Sequence, residues 1–224
     1  TGSDRRLLTE LTGIIDRAIA LAVTVAPTGR TQKSRQDYVT DTDRSVDDFL
    51  VAELVRLTPG LPVLSEERDC PEKPAPGEYW IIDPIDGTLN LMAGVPFVAI
   101  SVALVDRNGP RLSAVAALAE RRIITAQRGG GAWAEDAQIT VPTDPPPLIV
   151  LSTGLIDAFQ TAGSTDCWDA LRKIGKIRNL GAQALHLCGV ATGQFAAVAS
   201  IEARIWDEAA AGLILREAGG RWLS

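Results

Sequence analysis

Only one histidine, His186, occurs in the 224 residues, so a zinc centre of several imidazoles cannot be assembled. In Ala184-Leu185-His186-Leu187-Cys188 it reads as a helical packing residue. The three cysteines, Cys70, Cys167 and Cys188, lie far apart without C-x-x-C spacing, which argues for reduced thiols and a cytoplasmic protein. Neither a G-x-S-x-G elbow for a serine hydrolase nor a G-x-x-x-x-G-K-[ST] phosphate loop is present. Gly129-Gly130-Gly131 lies between strand-like runs and lacks the following helix of a dinucleotide cradle, so it reads as a turn. No uninterrupted apolar run reaches the ~18 residues of a membrane span, and the N-terminus has no charged-then-apolar leader layout.

Apolar residues make up 46% of the chain, enough for a substantial core. The net charge is −6, which argues against nucleic acid or an anionic membrane as the main partner. A small anion would need a locally positive site, and bound metal ions can provide one.

Leu7, Leu11, Ile14, Ala18 and Ala22 form a stripe of helical period that ends near Pro27 and Gly29. After a polar loop, Val46, Phe49, Leu50, Leu54 and Leu57 repeat the period up to Pro59-Gly60. Residues 62–150 change to short strand-like runs (PVLS, EYWIID, FVAISVALVD, RLSAVAAL, RRIITAQ, AQITV and PLIVLS), with a hairpin signal at Asn108-Gly109. The last third predicts helices near 155–174 and 182–192, a strand near 195–199 and a helix over 207–218 closed by Gly219-Gly220. The pattern is α/β, one domain over 1–224, with the Pro-rich stretch at 142–147 dividing subdomains of about 1–143 and 144–224.

The chemistry lies in WIIDPIDGTLN at 80–90. A β-branched and aromatic run ends where two acids begin, and Pro84 biases Asp83 to an extended conformation and stops the strand there. Two carboxylates a turn apart repel unless one is protonated or a cation lies between them. Glu66 likewise ends an apolar run, Asp41 and Asp43 stand at the start of the second helix, and Asp207 precedes the last one. Each also has a plain reading: Asp83 and Asp86 as turn acids, Asp43 and Asp207 as N-caps, Glu66 and Glu67 as a solvated loop. Acids recurring at the ends of buried segments nevertheless suit a site on a rigid scaffold, and oxygen ligands select Mg²⁺ or Mn²⁺ before Zn²⁺.

WIIDPIDGTLN resembles the D-P-[IL]-D-G-[ST] signature of the inositol monophosphatase family, and WDEAAAGLILREAGG resembles its second signature, W-D-x-A-A followed by E-A-G-G. SEE at 65–67 and TDTD at 40–43 fall in the family's order, and the likeness runs through essentially the whole chain. The resemblance implies a layered α-β-α-β-α sandwich of the inositol monophosphatase and fructose-1,6-bisphosphatase type. It implies Glu66, Asp83, Asp86, Asp207 and the carbonyl of Ile85 as ligands for two or three Mg²⁺ ions, with Mn²⁺ as a possible substitute. Asp43, Thr88 and Glu66 are then the catalytic residues, the first two orienting and activating the attacking water. Gly87 and Thr88 would bind phosphate through backbone N–H groups, and Asp86, Gln183, Ser200 and Asp207 would complete the substrate contacts.

The implied activity is hydrolysis of a small polyol or sugar monophosphate, with a homodimer and lithium sensitivity as common family properties. Relatives on the same fold hydrolyse fructose 1,6-bisphosphate, histidinol phosphate or the 3′-phosphate of adenosine 3′,5′-bisphosphate. A catalytically silent phosphate-binding relative is the rival of another class. Gln183 and Ser200 depart from the residues that touch the sugar in inositol monophosphatases, while Leu89-Asn90 is unlike the nucleotidase branch. Asp86→Asn is expected to abolish turnover and leave the fold intact. The chain ends soon after Gly220, so a final strand or helix of this fold is expected to be absent or shortened.

Overall fold

The computed structural model describes residues 2–34, 37–68, 77–163 and 165–223. The first apolar stripe becomes α1 (Gly2–Thr24), which buries Leu11, Ile14, Ile15, Ala18, Ile19 and Ala22. The expected polar loop instead contains two short antiparallel strands, β1 (Thr31–Ser34) and β2 (Asp37–Val39). Their residues carry no apolar alternation, so backbone pairing rather than side-chain pattern defines them. α2 (Asp41–Leu57) follows and buries Val46, Leu50 and Leu54 against α1.

A seven-stranded sheet occupies the centre. It consists of β3 (Val63–Ser65), β4 (Tyr79–Asp86), β5 (Ala99–Asp106), β6 (Gly109–Ala117), β7 (Arg122–Gln127), β8 (Gly131–Ala134) and β9 (Ala137–Ile139), paired in that order. Only β3 and β4 run parallel; the other neighbours are antiparallel. Alternation along the strands feeds two cores. Trp80, Ile82, Ile100, Val102 and Leu104 face α1 and α2, whereas Ile81, Ala99, Ala103 and Val105 face the opposite side. β4 does not stop at Asp83 as expected. It continues to Asp86 with a register shift between Asp83 and Asp86, because Pro84 interrupts the ladder without ending the extended course of the chain. The short helix α3 (Thr88–Ala93) follows at once.

Beyond the Pro-rich stretch, β10 (Leu148–Leu151) is the centre of a parallel three-stranded sheet, between β11 (Lys176–Arg178) and β12 (Ala197–Ala199). The predicted helical region near 155–174 is two helices, α4 (Thr153–Thr161) and α5 (Thr165–Ile174), separated at Gly163, whose φ of 62° is left-handed. α6 (Gln183–Ala191) and α7 (Ile205–Glu217) pack between the two sheets. Small residues on α7, including Ala210, Ala211 and Gly212, bring it close to the sheet. The layers therefore run α1/α2, large sheet, α6/α7, small sheet, α4/α5, the mixed α/β sandwich anticipated. Among the described residues no helix is long and apolar enough to cross a membrane. Cys167 is exposed, Cys188 is buried and both are free; Cys70 lies outside the described residues.

Candidate metal centre

The irregular end of β4 organises the site. Asp83 is 1% exposed, and its Oδ1 accepts the N–H of Ile85 at 3.0 Å, tightening the turn that Pro84 begins. Parallel pairing of β3 with β4 sets Ser65 opposite Ile82, and the N–H of Glu66 donates to the Ile82 carbonyl at 3.3 Å. Glu66 thus emerges beside Asp83. Asp207 approaches from α7: its Oδ2 accepts the N–H of Arg204 at 2.6 Å, so the carboxylate closes its own helix terminus. Glu66, Asp83 and Asp207 each place one carboxylate oxygen so that all three lie within 4.8 Å of one another.

Burial, reinforced by the charge of Glu66 and then of Asp86, Asp207 and Glu67, pushes Asp83 well above the usual carboxylate range. Burial, partly offset by the Arg204 N–H, pushes Asp207 up to about 6. Among the described residues, the carboxylates of Glu66, Asp86, Asp207 and Glu67 all act on Asp83 in the same direction. A cluster of this kind is unfavourable when ionised and suits a hard cation, since each acid supplies oxygen and the cation removes the repulsion.

Asp86 has a second task. Burial raises its carboxyl well above the ordinary range, and Asp207 adds to this, while the backbone N–H groups of Ala184 and Gln183 oppose the shift. Those two N–H groups donate to Asp86 at 2.7 and 3.1 Å, so Asp86 satisfies the first turn of α6 from across the fold. Asp86→Asn would leave one of these N–H groups facing an amide nitrogen that cannot accept it, so a stability cost is expected beside the loss of turnover. Gly87, with φ of 96°, follows, and an added Cβ would lie 3.0 Å from the Phe97 carbonyl and 3.2 Å from that of Gly181.

Asp43 is 1% exposed in the first turn of α2. Its Oδ2 accepts the Thr40 N–H at 2.9 Å and the Thr40 hydroxyl, and its Oδ1 accepts the Thr88 hydroxyl at 2.7 Å. Asp41 points elsewhere, to Thr28 and Arg44. A pocket of about 200 Å³ is lined by Tyr38, Glu66, Asp83, Ile85, Asp86, Gly87, Thr88, Leu89, Gly181 and Asp207.

Neither Gln183 nor Ser200 belongs to that lining. The Gln183 side chain is engaged internally, with Nε2 donating to Glu208 Oε1 at 3.3 Å and Oε1 facing His186 Nδ1 at 3.3 Å. Ser200 Oγ accepts the Glu202 N–H at 3.4 Å. His186 packs between Phe97 and Phe195, as a helical packing residue should, and burial pushes it down to about 4. Sequence reasoning assigned no role to Asn90, whose Nδ2 donates to Phe97 O at 2.8 Å and to Leu180 O at 2.7 Å, tying α3 to the segment before α6. Its place two residues beyond the D-P-I-D-G-T signature was the available signal.

The buried Asp83 and the partly buried Glu66 and Asp207, converging from strand and helix ends of an α-β-α-β-α sandwich, form a candidate metal site. The profile of the inositol monophosphatase family matches residues 4–224, and the chain belongs to that family. An inositol-1-monophosphatase of Mesorhizobium japonicum is 33% identical over 196 residues, covering 84% of this chain and 72% of that protein. The Nus factor SuhB of Xylella fastidiosa is 34% identical over 196 residues, covering 84% and 70%. Among solved structures, the extragenic suppressor protein suhB of Bartonella henselae superposes with a TM-score of 0.85 at 25% identity, covering 96% of this chain and 85% of that one.

Proposed function

We propose that this chain is a Mg²⁺-dependent phosphatase acting on a phosphate monoester of a small polyol or sugar. The observation that carries the reading is the convergence of Glu66, Asp83 and Asp207 within 4.8 Å beside the Thr88 and Asp43 pair. Glu66, Asp83, Asp86, Asp207 and the Ile85 carbonyl would hold the cations, with Mn²⁺ able to replace Mg²⁺. When bound, the ions supply neutralisation of phosphoryl oxygens and a lowered pKa for water.

The protein's own groups supply the rest. Thr88 gives its hydroxyl hydrogen to Asp43, which leaves its oxygen lone pairs to accept a hydrogen from a water placed in the pocket. As that water's oxygen bonds to phosphorus, its proton passes to Thr88 Oγ1 and the Thr88 proton to Asp43; the alcohol oxygen leaves with the electron pair of the broken bond and takes a proton from a second water, whose hydroxide is neutralised by the proton held on Asp43. The backbone N–H groups of Gly87 and Thr88 start α3 and would face the phosphate. A pocket of about 200 Å³ suits a phosphate and its cations, with the alcohol portion at the mouth.

The test is phosphate release from inositol 1-phosphate, fructose 1,6-bisphosphate, histidinol phosphate and adenosine 3′,5′-bisphosphate, each with Mg²⁺ and with chelator. Mg²⁺-dependent release from a polyol or sugar ester supports the proposal, and the ranking names the substrate. The Xylella relative bears the name Nus factor, which supports a second reading in which this chain acts as a binding factor. No release from any ester by a folded sample that binds Mg²⁺ would favour that reading.

A further inference from the structure

We infer that Asp47, acting with Arg68, is a positioning residue that fixes the Glu66 carboxylate in the cluster; the inference rests on the metal-dependent reading proposed above. α2 carries two buried acids one turn apart, Asp43 and Asp47. The first reaches Thr88. The second is not part of the pocket lining, yet it is only 4% exposed, and a buried carboxylate is costly unless its charge is met.

The partners of Asp47 are specific. Its Oδ1 accepts the Ser65 hydroxyl at 2.5 Å and its Oδ2 accepts Arg68 Nε at 2.6 Å. Ser65 stands immediately before Glu66, and Arg68 two residues after it. The Ser65 oxygen in turn accepts the Glu67 N–H at 3.1 Å, and the Arg68 N–H donates to the Ser65 carbonyl at 3.4 Å, closing the turn on itself. On the other side the Glu66 N–H is bound to the Ile82 carbonyl of β4. The turn is held by β4 through its backbone and by α2 through Asp47, and Glu66 projects from between these anchors toward Asp83 and Asp207. One helix therefore places both Thr88, through Asp43, and Glu66, through Asp47.

A plain stabilising ion pair would explain the same contacts, so the readout has to separate position from stability. Full-length Asp47→Asn and Arg68→Gln variants are titrated with Mg²⁺ alone by calorimetry and melted in parallel. Asp4→Asn is the control: it weakens a comparable part-buried pair, with Arg111, outside the pocket lining. The expected result is a Kd for Mg²⁺ raised about tenfold in both site variants, as loss of a group that orients a metal ligand typically gives, and an unchanged Kd in Asp4→Asn. Unchanged Kd values in the site variants, whatever their Tm, would overturn the inference. Should Asp47→Asn fail to fold, Arg68→Gln decides, because that side chain is 40% exposed. A wild-type protein that takes up no Mg²⁺ would overturn the metal-dependent reading itself, an outcome distinct from a wild type that binds and variants that bind equally well.

Discussion

Asp83 is the residue with the most to gain from a cation. Its carboxyl is raised by burial and by surrounding acids, so in the metal-free protein its ionised form costs stability at neutral pH. Asp83→Asn removes that charge and keeps an oxygen for the Ile85 N–H. Melting in chelator is expected to rise by about 2–4 °C, the shift roughly 1 kcal/mol gives at this size, while the stabilisation by Mg²⁺ disappears. Scanning fluorimetry with and without Mg²⁺ checks both halves, and a variant still stabilised by the ion would count against the assignment. Thr88→Val separates proton handling from metal binding, since it deletes the hydroxyl given to Asp43. Its kcat is expected to fall about 10²–10⁴-fold with Kd for Mg²⁺ unchanged, measured by steady-state turnover and calorimetry. Asp83 stood out in the sequence because it interrupts an apolar run, whereas Thr88 was named only through the resemblance of WIIDPIDGTLN to the family signature. The double use of Asp86 was not legible there, because its partners Gln183 and Ala184 lie about a hundred residues away in the chain.

At the scale of elements, the site depends on how the ends of β4, α3 and α6 meet. Asp86→Asn is expected to destabilise the fold by about 1–3 kcal/mol, because one α6 N–H loses a charged acceptor, and denaturant unfolding measures it. A variant as stable as wild type would show that α6 finds another cap. Gly87→Ala is expected to cost about 1–3 kcal/mol from left-handed strain, with a further penalty from the Phe97 carbonyl 3.0 Å from the new Cβ. The long helices and central strands were readable from their periods. β1, β2, β8 and β11 were not, since short strands with polar or small residues carry no pattern apart from the neighbours that pair with them. The same limit hid the extension of β4 past Pro84.

Across the whole molecule, the proposed metal-dependent function requires protons and cations to compete for the acid cluster. Asp207 has a folded value of about 6 against an ordinary 3.8, so the native metal-free state binds more protons between those values and its contribution favours lower pH. Bound Mg²⁺ requires the ionised forms, and the Tm gain from Mg²⁺ is expected to shrink as pH falls through about 6. Taking the difference between Mg²⁺ and chelator melts removes His186, which charges more readily when unfolded and acts in the opposite direction. A Tm gain independent of pH from 7.5 to 5 would contradict the coupling. By itself the sequence determined the family and the mixed α/β class and singled out the acids proposed as metal ligands, because signatures and hydrophobic periods are local in the chain. Only the tertiary structure decided that Glu66, Asp83 and Asp207 meet within 4.8 Å, that Asp86 holds α6, and that Gln183 turns toward Glu208 and not into the pocket. Those outcomes depend on parallel pairing of β3 with β4 and on α6 and α7 packing across the sheet, contacts between distant segments that no local pattern encodes.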